Sequence, residues 1–204
     1  MKKVITVSRE FGSGGRELGV RLAEHFGVPF YDKELIAMAA EDADMAEAVF
    51  MHYDEKLPEA HDPMDRSFYH SFSQIYQVPM SDQIFVAQSS IIRRLAEQGP
   101  CVIVGRCADR ILSDSINIFI YAKMKDRIRR MMGLEPGGDE KDMERRIREV
   151  DRKRKDYYQY YTGAQWGRAQ NYHLCVESGL VGVEGCLRAV LAYLGESENR
   201  TDRS

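Results

Sequence analysis

The chain has 204 residues and a mass of 23.4 kDa, which suits one domain, or one core with a small insert. Hydrophobic residues make up 44% and charged residues 30%, which excludes collagen-like, mucin-like and mostly disordered chains. The net charge is −3, from 29 Lys and Arg against 32 Asp and Glu, so bulk charge gives no argument for a nucleic acid polymer or an anionic membrane. No apolar run approaches the roughly 20 residues that a membrane span needs. The basic start Met1–Val7 is too short in its apolar part for a signal peptide. Four cysteines at 101, 107, 175 and 186 form no C-x-x-C pair. A disulfide framework or zinc site is not expected, and a reducing cytoplasm is the default compartment.

Short apolar runs alternate with longer helical segments, the pattern of an α/β sheet. Val4–Val7 reads as the first strand, and Phe11–Gly15 as a glycine-rich turn. Leu18, Leu22 and Phe26 recur every four residues and predict a helix over 16–26, capped by Gly27. Val28–Tyr31 reads as a second strand, and 34–49 as an alanine-rich helix. Residues 50–82 are irregular, with Pro58, Pro63 and Pro79. Across 33–70 three Lys and Arg face ten Asp and Glu, so an acidic insert is expected. Ile84, Ile91, Ile92 and Leu95 mark a helix ending near Gly99. Cys101–Val104 is apolar throughout and reads as a buried central strand. A strand over 116–122 and a helix over 123–132 follow. A break at Gly133–Gly138 then precedes a charged helix over about 139–161. The last strand is Leu174–Val176 and the last helix 183–194. From Gly195 the tail is polar and expected to be flexible. Across 123–155 thirteen Lys and Arg outnumber eight Asp and Glu, so the chain is polarised although nearly neutral overall.

The strongest local signal is Val7–Leu18, where a strand runs through Gly12, Ser13, Gly14 and Gly15 into a helix. Glycines let backbone N–H groups turn inward, and the helix start adds free N–H groups and its dipole. That makes a cradle for phosphate. It is not a standard Walker A loop, G-x-x-x-x-G-K-[ST]. With Gly14 as the last glycine, Gly15 stands where the lysine belongs, Arg16 at the Ser/Thr position and Arg9 at the first glycine. Arg16 and Arg9 both supply positive charge there, and either can take over the lysine's part.

Four stretches give the chain a resemblance to nucleoside monophosphate kinases, most closely the cytidylate kinase-like family. They are Ser8–Glu17 followed by Pro29–Leu35, then Val104–Asp109, then Ile118–Ala122 leading into Asp126–Arg130, and last Asp151–Tyr158. The match runs in order over about 4–194, except an insert at roughly 45–82. The resemblance implies an α/β P-loop kinase-like three-layer fold. Its five-stranded parallel sheet would have order 2-3-1-4-5, with helices on both faces. It implies one domain over 1–194, a helical acceptor-binding insert within 33–90, a lid over 134–163 and a flexible tail over 195–204. It also implies ATP and Mg²⁺ as cofactors, with magnesium ligands unassigned, and phosphoryl transfer to CMP or dCMP. A kinase of another small metabolite and a non-catalytic nucleotide-binding regulator are the alternatives. Nucleotides are the expected partners, with no nucleic acid polymer and no membrane; a homodimer is left open.

Phosphoryl transfer asks for positioning and positive charge more than covalent chemistry. Arg16, Arg106, Arg152 and Arg154 are the candidate catalytic groups. Gly12, Ser13, Gly14, Gly15, Arg16, Glu17 and Arg127 are the candidates for the donor nucleotide, and Asp32, Arg106 and Asp109 for the acceptor. Arg106 follows a buried strand, where it grips phosphate or pairs with Asp109 or Asp32. Arg152 and Arg154 lie on different helix faces, so one of them is expected to point inward. Arg127 and Arg130 are three apart and share a face, which by the resemblance borders the adenine. Asp32 holds magnesium through water, contacts the acceptor or caps the next helix. Glu17 sits in a first helical turn, where a carboxylate is favoured by the dipole and repels phosphate. Tyr157, Tyr158, Tyr160, Tyr161 and Trp166 read first as packing. His52, His61 and His70 lack metal spacing.

Overall fold

The computed structural model describes residues 3–32, 34–42, 46–53 and 79–201. Strand β1 (Val4–Arg9) is buried over its first five residues, as a central parallel strand covered on both faces must be. Helix α1 (Gly15–Phe26) follows the glycine loop. Gly27 ends it at φ 62, its N–H turned back to the carbonyls of Ala23 and Glu24. Then come β2 (Phe30–Tyr31), α2 (Glu34–Asp42), α3 (Glu47–Tyr53) and α4 (Met80–Gln98). The second half holds β3 (Val102–Val104), the short α5 (Ala108–Ile111), β4 (Ser115–Tyr121), α6 (Met124–Leu134), α7 (Glu140–Thr162), β5 (Leu174–Glu177) and α8 (Ser178–Thr201).

The five strands are parallel, in the order β2-β3-β1-β4-β5 that the resemblance implies. Val7 pairs with both Val104 and Ile118. The carboxyl ends of β1, β3 and β4 therefore finish side by side. Alternation along β1 divides the core. Ile5 and Val7 pack with Leu18, Leu22, Val183, Cys186 and Val190 from α1 and α8. On the other face Val4 joins Leu35, Ile84, Ile91, Ile92 and Leu95 from α2 and α4.

Three differences from the sequence reading have local causes. The helix expected over 34–49 is two, Glu34–Asp42 and Glu47–Tyr53, with 43–45 outside the described residues. The last helix begins at Ser178 rather than 183, because the Glu177 carboxylate accepts the N–H groups of Gly179 and Leu180, each at 3.0 Å. It kinks at Gly182 and continues to Thr201, past the expected end at 194. Its segment Ser178–Gly195 is long and apolar enough, by length and composition, to cross a membrane, which the sequence reading did not anticipate. Val183, Cys186, Val190 and Leu194 in it are nevertheless buried in the core. Of the expected insert, 54–78 with His61 and His70 lie outside the described residues, and His52 is exposed on α3. All four cysteines are free, and burial pushes the Cys101 and Cys186 thiols up to about 11.

Candidate active site

The glycine loop is held from three sides. Gly12 and Gly14 have φ 80 and 82, backbone that L side chains rarely adopt. A Cβ on Gly14 would stand 2.7 Å from Val183, and one on Gly15 would stand 2.4 Å from the Cβ of Arg9. Ser13 is buried and its hydroxyl donates to the Glu10 carbonyl at 2.8 Å. The Ser178 hydroxyl donates to the Ser13 carbonyl at 2.6 Å. The Glu10 carboxylate accepts the N–H of Ala122 at 3.1 Å, and burial pushes its carboxyl above the ordinary value. The loop is thus held in place at the start of α1, the kind of helix N-terminus at which anions bind.

One cleft opens beside it, lined by Gly12, Ser13, Asp126, Arg129, Arg130 and the Ser178–Gly179 turn, with Gly182 and Val183 behind. Glu17 stands at its edge and holds Arg21 at 2.8 Å and Arg130 by an ion pair. Against the upward push of partial burial, the Arg130 and Arg21 bonds hold the Glu17 carboxyl below its ordinary value. Its part is to fix an arginine, in keeping with a carboxylate that would repel phosphate. Arg127 does not line this cleft. It is buried and turned to α7, where it pairs with Asp151 and donates to the Phe11 carbonyl at 3.3 Å. Asp151 in turn accepts the Phe11 N–H at 2.8 Å, so α7 is tied to the glycine loop. Met131, Met143 and Ile147 close a small buried cluster there, with Phe11 against it.

A second, smaller cleft lies at the ends of β1 and β3. Ser8, Arg9, Gly105, Arg106, Cys107, Arg154, Tyr157, Tyr158 and Trp166 line it. Its rim is a junction of arginines on Asp32. Arg106 Nη1 donates to Asp32 Oδ1 at 2.7 Å, Arg16 Nε donates to Oδ2 at 2.9 Å, and Arg9 Nη2 stands 3.7 Å from Oδ1. Of the two partners that the sequence left open for Arg106, the structure gives Asp32. Residues 105, 106 and 107 all have positive φ, at 81, 52 and 56. Two of them are not glycine, which is strain of the kind functional loops store. Gly105 has a steric reason as well: a Cβ there would meet Arg9 Nη1 at 2.0 Å, so Arg9 lies across it.

Asp109 is buried under this cleft and engaged by Tyr158, whose hydroxyl donates at 2.6 Å, and by Ser8 at 3.3 Å. Burial pushes its carboxyl above the ordinary value, against both hydrogen bonds. Of Arg152 and Arg154, the second lines the cleft and donates to the Arg9 carbonyl at 3.4 Å, whereas Arg152 is exposed on α7. Tyr157 and Tyr158 pack as expected; Tyr161 stacks on Phe85 at 4.1 Å and donates to Asp82 at 2.8 Å. Sequence reasoning missed Arg129, and it offered Asp32 as a partner of Arg106 but not the junction that Arg9 and Arg16 complete there. The signal for the second was three arginines set just beyond strand ends or in the first helical turn. Among the described residues no three His, Cys, Asp or Glu side chains gather as a metal site.

A family model described as the cytidylate kinase-like family matches residues 4–180. No curated protein matches the sequence. Among solved structures, an uncharacterized protein from Eubacterium ventriosum is similar at 29% identity and TM-score 0.71, over 95% of this chain and 99% of that one. Shikimate kinase from Bacteroides thetaiotaomicron is similar at 14% identity and TM-score 0.53, over 96% and 99%. Shikimate kinase from Acinetobacter baumannii, solved with shikimate, is similar at 12% and 0.51, over 96% of each. At these identities the shikimate kinases share the fold. The chain belongs to the cytidylate kinase-like family, and its fold is that of a P-loop small-molecule kinase.

Proposed function

We propose that the protein transfers a phosphoryl group from ATP to a nucleoside monophosphate, with CMP or dCMP first among acceptors. The observation that carries this reading is the convergence of Arg9, Arg16 and Arg106 on Asp32, between the glycine cradle and the second cleft. Transfer between two polyanions needs positive charge gathered from several elements at the point where they meet. The loop Gly12–Gly15 and the start of α1 hold the donor phosphates, with Arg16 in place of the missing lysine. The first cleft takes the donor's base and ribose beside Arg129 and Arg130. Arg106, joined by Arg9 and Arg154, holds the acceptor phosphate; a guanidinium does this in a fork, with two parallel bonds. Magnesium, bound through the substrate phosphates and water, would neutralise charge on the donor. Helix α7 is the lid: held here against the loop through Asp151, it would open on 135–139 and Gly163 to admit substrate and, closed, keep water from the phosphates.

The fold shared with two shikimate kinases, at TM-scores of 0.53 and 0.51, favours one other reading, a compact phosphorylatable metabolite as acceptor. Incubating the purified protein with ATP, magnesium and each nucleoside monophosphate tests the proposal. CMP or dCMP should yield the diphosphate fastest. ADP formed with none of them would remove the nucleotide acceptor. Binding of ATP with no turnover on any acceptor would point to a non-catalytic nucleotide-binding protein.

A further inference from the structure

Arg16 and Arg106 share one carboxylate, but their surroundings are opposite. The Asp32 and Arg106 side chains are each 4% exposed, and that of Arg16 is 57% exposed. Arg106 is buried on a loop of positive φ at the end of β3. Arg16 is the second residue of α1, in the same turn that follows the glycine cradle. Its Nε–H makes the bond to Asp32, and its guanidinium lies over the Phe30 ring at 5.5 Å. An exposed arginine on a long side chain leaves such a bond readily, whereas a buried one does not.

We propose that the Arg16–Asp32 ion pair is a parked position, and that a phosphate chain entering the loop takes Arg16 from Asp32 while Arg106 stays. The proposal rests on the reading of the loop as a phosphate site. The direction follows from charge and shape. Asp32 offers Arg16 one oxygen, while a di- or triphosphate offers several oxygens and more than one negative charge, and can be gripped by two N–H groups at once. Asp32 is then a positioning residue. It keeps Arg16 within reach of the cradle, and its competition sets how tightly phosphate binds.

The test is a titration of the full chain with inorganic pyrophosphate, followed by NMR of the arginine Nε–H groups and of the amides of Gly12, Gly14 and Gly15. The Arg16 signal is identified by its loss in Arg16→Lys. The Arg16 signal should move together with the loop amides and with the same midpoint. In Asp32→Asn pyrophosphate should bind roughly two- to five-fold tighter, the factor that an exposed ion pair can contribute. Loop amides that shift while the Arg16 signal stays would show Arg16 to be a fixed tie, and would overturn the handover while leaving the phosphate site intact. Weaker binding in a folded Asp32→Asn would also overturn it. If that variant does not fold, the titration of the unaltered chain decides alone. Absence of any pyrophosphate effect on the loop amides would overturn the phosphate-site reading, and the handover with it.

Discussion

The two clefts share one edge of the sheet and are stabilised in different ways. At the first, arginines are matched to carboxylates close by: Arg130 to Glu17, and Arg129 to Asp126 at 3.3 Å. These pairs are partly exposed, and such pairs contribute about 0–1 kcal/mol each. At the second, Arg106 and Asp32 are sealed from water and the loop that carries the arginine is strained. Removing one partner of a buried pair costs about 3–5 kcal/mol, because the other charge is left without its counterpart. The first cleft can therefore adapt to its ligand, and the second is organised in advance. For phosphoryl transfer the pre-organised half is the one that needs geometry.

The comparison breaks first at its deepest pair. Arg106→Ala should lower stability by about 3–5 kcal/mol in urea unfolding, and Arg130→Ala by no more than about 1 kcal/mol. Similar losses in both would erase the distinction between the clefts. Arg16→Ala comes next. Its effect on stability should be small, since the side chain is exposed. Its effect on turnover should be about 2–4 kcal/mol if the phosphate contact forms mainly in the transition state. Calorimetry with ATP, run beside rate measurements, checks this. Unchanged affinity and rate would make Arg16 a surface residue of α1.

Two smaller effects sharpen the picture. Gly105→Ala should cost about 1–2 kcal/mol from its positive φ. It should also shift Arg9 off Gly105, so turnover falls alongside stability. A variant as stable and active as the original would mean that Arg9 passes elsewhere. Asp109→Asn probes the buried carboxyl, whose folded pKa is raised by burial. A carboxyl with a raised folded pKa contributes stability that is present below its unfolded value, near 3.8, and lost as pH rises through the folded one. The melting temperature of Asp109→Asn should therefore gain on that of the original chain as pH rises from about 4 toward neutrality. A constant difference across that range would show that Asp109 ionises as readily in the folded chain as in the unfolded one.

Much of the first cleft was legible in the sequence, because β1, the glycine loop and α1 are consecutive and the turn chemistry is local. The sheet order followed from the same stretches taken as a family pattern. The junction at Asp32 was legible only in its Arg106 pair, and there as one of two options. It joins residues 9, 16, 32 and 106, which come together only when β3 is placed between β1 and β2. Arg127 shows the limit of spacing arguments. Residues three apart do share a helix face, yet Arg127 is drawn inward by Asp151, 24 residues further on, while Arg130 turns to Glu17. The start of α8 was missed for a simpler reason. Glu177 caps that helix from a strand end, where a carboxylate reads as surface charge.

The central claim is that the loop cleft takes the donor and the Arg106 cleft the acceptor's phosphate. Arg106→Lys tests it most directly, since lysine keeps the charge and loses the planar fork. Steady-state kinetics of the folded variant should show the KM for the nucleoside monophosphate raised by much more than the KM for ATP. Equal changes in both, or loss of folding with unaltered kinetics in the surviving enzyme, would make Arg106 a structural ion pair and place the acceptor elsewhere.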